Sequence, residues 1–125
     1  MSFRGLLIPV DIAEPARPVQ YDDCIDIQDA VKGLFDVVRV EMRTKQYGTV
    51  EISLWVNDEG LIMQLPVNMR ASGLFKKHLV GPVMVSGAAD YAGETTDCPE
   101  WLIDAFLCAE LEHNVFAQVG DRDVD

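Results

Sequence analysis

The residues best suited to bind a metal or act as nucleophiles are two histidines, His78 and His113, and three cysteines, Cys24, Cys98 and Cys108. A zinc site gathers Cys and His at short spacings, and none of these five has such a neighbour. Cys98 and Cys108 fall on one expected helix but at a separation that turns them to different sides. Three widely spaced cysteines are expected to be reduced thiols. The acidic run Asn57-Asp58-Glu59-Gly60 could suggest a cation loop, but calcium needs oxygen donors alternating over about 12 residues with a distal Glu. It reads instead as a turn between two strands, with Gly60 left-handed. No Gly-x-Ser-x-Gly elbow, Gly-x-Gly-x-x-Gly loop or Gly-Lys-Ser/Thr loop occurs. Asp97, Glu100 and Asp104 bring carboxylates onto one helical face, where the positive end of the helix dipole already favours acids. No catalytic, cofactor-binding or metal-binding residue is assigned, and the chain is read as a non-enzyme that needs no cofactor.

The elements that would position these groups are an α+β set. Phe3–Val10 reads as a strand ended by the proline-containing loop Asp11–Pro18, with Val19–Tyr21 a short edge strand. Asp22 or Asp23 caps a first helix with Ile27, Ala30 and Val31 on one face, and Gly33 closes it. Val38, Val40 and Met42 alternate with charged residues, as in a half-buried strand. Val50, Ile52, Leu54 and Val56 alternate in the same way, and so do Leu61, Met63 and Leu65. Pairing Val56 with Leu61 across the 57–60 turn puts both apolar rows on one face and sets Trp55 opposite Ile62. Asn68 caps a second helix that carries Ala71, Leu74, Phe75 and His78 and is broken by Gly81-Pro82. Val83–Ser86 is a strand buried on both faces. Asp97 caps a third helix that runs to at least Glu112. Whether 115–119 is helix or strand is left open. The fold expected is α+β: a mainly antiparallel sheet with the meander 36–43, 50–56, 61–65 at its centre, and three helices. It forms one domain over residues 1–120, followed by an acidic tail, 121–125.

The formal net charge is −11, unevenly spread: residues 89–125 hold one base, Arg122, against ten acids. Such a field repels phosphates, so no direct nucleic-acid binding is expected. Apolar runs fall far short of the roughly 20 residues that span a bilayer, and no export signal is read at the start of the chain, so no membrane contact and a cytosolic location are expected. Nearly the whole circumference of the third helix is apolar, which suits packing at two surfaces. Trp101, Ala105 and Cys108 lie on a different side from Leu102, Phe106 and Ala109.

Val31-Lys-Gly-Leu-Phe-Asp-Val-Val38, Trp55-Val-Asn-Asp-Glu-Gly60, Leu65-Pro-Val-Asn-Met-Arg-Ala71 and Val80-Gly-Pro-Val-Met-Val-Ser-Gly87 occur in that order. This series resembles the domain-of-unknown-function family numbered 3846, small proteins of bacteriophages and of bacteria, notably actinobacteria. The resemblance covers roughly residues 5–97 and carries no activity with it. It implies a phage or mobile-element accessory protein in the cytosol of a bacterial host, working by binding a host or phage protein. One form of this reading is an acidic inhibitor in which Asp97, Glu100, Asp104, Glu110 and Glu112 mimic nucleic acid. Alternatives are a small self-associating structural domain, forming a homodimer without a host target, and, third, a small enzyme. Candidate contact residues are Trp55, Ile62, Asp97, Glu100, Trp101, Asp104, Ala105 and Cys108.

Overall fold

The computed structural model describes residues 2–60 and 62–111. His113, Glu112, the stretch 115–119 and the tail 121–125 lie outside the described residues, as do the side chains of Cys24, Cys108, Ala109 and Glu110. Five strands, β1 (Phe3–Ile8), β2 (Arg17–Tyr21), β3 (Phe35–Thr44), β4 (Gly48–Asn57) and β5 (Val83–Gly87), make one sheet. Its order is β2-β1-β5-β4-β3, and every neighbouring pair is antiparallel. Three helices, α1 (Cys24–Val31), α2 (Met69–Phe75) and α3 (Glu100–Leu111), complete an α+β architecture. Among the described residues no helix is long and apolar enough to cross a membrane.

Strand alternation gives the sheet two unequal faces. Leu6, Ile8, Val40, Ile52, Leu54 and Val85 bury one face against Leu74 and Phe75 of α2 and Leu102, Ile103 and Phe106 of α3. Among the described residues the other face is covered by α1. Beneath Ile27 runs an aromatic row: Phe3 stacks on Tyr21 at 5.5 Å and on Trp55 at 6.0 Å, and Phe35 meets Trp55 edge-on at 5.1 Å. Asp23 starts α1 through a reciprocal capping box with Asp26. Its end falls where expected: Lys32 turns left-handed at the C-cap (φ 66°) and Gly33 follows at positive φ (155°), its N–H bonding back to the Gln28 carbonyl.

The meander expected at the centre of the sheet does not form. Residues 62–64 form turns, not a strand. Trp55 pairs with Val37 and Met84 instead of Ile62, which is 81 % exposed. The reason lies in β4, whose residues Ile52–Trp55 are buried on both faces. Such a strand needs neighbours that are apolar on both faces. Val83–Gly87, buried at every position, meets that need, whereas 61–65 offers one apolar face only. The 57–60 turn is likewise different. Asn57 is buried, its Nδ2 donates to the carbonyls of Val31 and Lys32, and its Oδ1 accepts from Glu59 N. It locks the end of α1 onto β4. Gly60 does not have positive φ; its role is close approach, since a Cβ there would stand 2.7 Å from Val80 Cγ2.

Helix α2 also ends earlier than expected. Lys76 turns left-handed (φ 54°), so that Asn68 N can reach the Leu79 carbonyl and Leu79 can enter the core. A helix continued to His78 would carry Leu79 away from both.

Candidate functional site

A groove of about 660 Å³ opens on the thinly covered face, where α1 leaves the β2 corner of the sheet bare. That volume is within the range of small-molecule and peptide-anchor sites. Its floor is Leu7 of β1 with Val19 and Tyr21 of β2, and one wall is Asp26, Asp29, Ala30 and Lys32 of α1. Leu65-Pro66 and Gly81-Pro82 close one end, the β1–β2 loop supplies Val10, Asp11 and Glu14, and the first residue of β2 supplies Arg17. This lip is fastened from below: Arg70 Nη2 donates to the carbonyls of Pro9 and Asp11, and Asn68 Nδ2 to those of Ile8 and Gly81. Two buried polar side chains in and next to α2 therefore set the groove's width from the opposite face of the sheet.

Tyr21 lies at the heart of the groove floor. Its ring is 2 % exposed and crosses Gly5 so closely that a Cβ on Gly5 would stand 2.9 Å from Tyr21 Cε2. Its hydroxyl is buried with no hydrogen-bond partner among the described residues. Burial pushes the phenol up to about 12; the Arg17 guanidinium opposes this shift and the Asp26 carboxylate adds to it. Four carboxylates, Asp11, Glu14, Asp26 and Asp29, and two cations, Arg17 and Lys32, line the walls, so the rim is net negative over an apolar floor. Nothing in the groove forms a hydrogen-bonded acid–base pair. Among the described residues no three His, Cys, Asp or Glu side chains gather as a metal site.

The contact residues inferred from sequence are all elsewhere. Trp55 is core, with Nε1 donating to Ser86 Oγ beneath α1 rather than beneath α3. Asp97 Oδ1 accepts from Arg4 N, so it caps the start of β1 instead of α3. Glu100 forms an ion pair with the same residue, Arg4. Asp104 is exposed, Ala105 is half-buried, and Trp101 stacks on Tyr47 at 5.4 Å. Leu102 and Phe106 face the sheet as their spacing implied, and Ile103 joins them. Cys98 is buried; the apolar surroundings, with Glu100 beside it, push its thiol up to about 12, which makes it a poor nucleophile. No local pattern announces the groove, because its residues come from four separate segments between Leu7 and Pro82.

A search of curated proteins returns no match. Among solved structures the fold is similar to part of the crystal structure of small RNA methyltransferase HEN1, at 15 % identity and a TM-score of 0.57. The similarity spans 99 % of this chain but only 18 % of that one, and it shows the fold alone. The profile of the family described as Domain of unknown function (DUF3846) matches residues 3–110. With all five strands and nearly the whole of α3 inside that match, the chain belongs to the DUF3846 family.

Proposed function

We propose that the protein works by binding rather than by catalysis, and that the groove between α1 and the β1–β2 edge holds a short segment of a partner protein. It would act as an accessory factor of a phage or mobile element in the cytosol of a bacterial host. The observation that carries this reading is the groove itself: an apolar floor with a buried, unpartnered Tyr21 hydroxyl beneath a net-negative rim. A buried hydroxyl without a partner costs about 1–3 kcal/mol, and a fold that keeps one invites a functional explanation. The rim and the overall charge of −11 favour a segment with Lys or Arg flanking apolar residues. The alternative of nucleic-acid mimicry through α3 has less support. Asp97, Glu100 and Asp104 are all exposed, but two of the three are already engaged by Arg4, Asp97 by its N–H and Glu100 by its guanidinium.

Panning a library of random dodecapeptides on the immobilised protein tests the reading. Enriched peptides are expected to combine basic and apolar residues and to lose binding to Val19→Arg, which fills the floor. Peptides that bind Val19→Arg as well as the wild type would overturn it.

A further inference from the structure

Strand β3 is the outer strand of the sheet and ten residues long, and no described segment pairs with its free edge. Long open edges invite pairing with another strand. Asp58 N bonds the Leu34 carbonyl on the β4 side, so the even-numbered residues of β3 direct their backbone groups to β4. The odd-numbered ones, Val37, Arg39, Glu41 and Arg43, present theirs outward. Val37 N–H is already taken by Asp36 Oδ1, which marks where a ladder would stop.

We infer that a second copy of this chain occupies that edge, its β3 antiparallel to the first about a two-fold axis at Val40. In this register Arg39 of each copy stands opposite Glu41 of the other. Moving the axis to Arg39 would set Arg39 against itself. Moving it to Glu41 would set Glu41 against itself and Arg39 against Arg43. The Val40 register thus pairs opposite charges, whereas both neighbouring registers oppose like ones. On the other face Val40 meets Val40, and half-buried Val38 meets Met42. The isolated chain also carries a defect that this pairing repairs. Glu41 lies directly opposite Glu51 in the β3–β4 ladder, both exposed, a like-charge pair that destabilises a sheet. Arg39 of the second copy would lie beside that pair. The join extends the sheet to double width through about six backbone hydrogen bonds. It is independent of the groove, which lies at the opposite edge.

Sedimentation velocity from micromolar to sub-millimolar concentration, with circular dichroism to confirm folding, tests this inference. The wild type is expected to dimerise at the upper end. Arg39→Glu and Glu41→Arg should each raise the dimer Kd by about tenfold or more, and the double exchange R39E/E41R should restore it, because opposite charges again face each other. Should a reversal unfold the chain, Arg39→Gln and Glu41→Gln supply the same comparison with a smaller, few-fold weakening. A wild type monomeric throughout, a dimer indifferent to the single changes, or a double exchange as weak as the singles would each overturn it.

Discussion

Replacing Tyr21 by Phe should make this protein more stable, the reverse of what the loss of a buried tyrosine hydroxyl ordinarily does. The ring stays where it is, 5.5 Å from Phe3 and against Gly5, so packing is preserved. Only an oxygen that is buried without a hydrogen-bond partner is removed. The desolvation cost of such a group is about 1–3 kcal/mol, and the dispersion attraction of that one atom offsets about 0.5 kcal/mol of it at most. A net gain of about 1–2 kcal/mol follows, or about 4–8 °C in Tm for a domain of this size. Urea unfolding should show a higher midpoint with an unchanged slope, since the same surface is exposed. The pH dependence supplies a second readout. Folded Tyr21 holds its proton up to about 12, against 10.0 for an ordinary phenol. The unfolded chain therefore releases this proton first, and wild-type stability falls as pH rises through 10 towards 12. In Tyr21→Phe that part of the decline should vanish. A loss of about 1 kcal/mol on substitution, as for an ordinarily bonded tyrosine, would refute the reasoning.

Other substitutions test the joints of the fold. Asn57→Ala withdraws the donor from two carbonyls at the end of α1 and should cost about 2–4 kcal/mol in urea unfolding. Asn57→Asp should not rescue it, because a carboxylate cannot donate to them. Gly5→Ala would place a Cβ 2.6 Å from Met84 Sδ and 3.1 Å from the Val85 carbonyl, an overpacking expected to cost about 1–3 kcal/mol by thermal denaturation. Lys76→Gly relieves a left-handed lysine at the exposed end of α2 and should gain about 0.5–1 kcal/mol in the same assay.

Where the sequence was legible, the signals were local. Asp23 and Asn68 announce their helices because an N-cap works within three residues, and both side chains accept the expected amide bonds. The alternation of Val38, Val40 and Met42 and the unbroken apolar run Val83–Val85 mark two strands correctly, although the first, expected in a meander at the sheet's centre, lies at its edge. What local pattern could not reveal was which strands pair. Leu61, Met63 and Leu65 alternate as well as any strand, yet the β4 edge goes to a segment more than twenty residues later that is apolar on both faces. The end of α2 depended on the same competition, with Leu79 drawn into the core and Lys76 strained to allow it. The aromatic–β-branched pair expected at Trp55 and Ile62 does not form, and Trp55 packs instead with Phe3 and Phe35 from other strands. As for the groove, Tyr21 marked it only as an aromatic on an edge strand; its depth comes from α1 crossing the sheet short of the β2 corner.

In the proposed function, partner segments enter the groove over Tyr21. Amide chemical shifts of the labelled protein, titrated with a dodecapeptide enriched by panning, test it most directly. Shifts are expected to cluster at Leu7, Val19, Tyr21, Ala30 and Leu65, with affinity weakening as salt is raised. Shifts concentrated on Trp101, Asp104 and Leu107 of α3, with the groove amides unmoved, would contradict it.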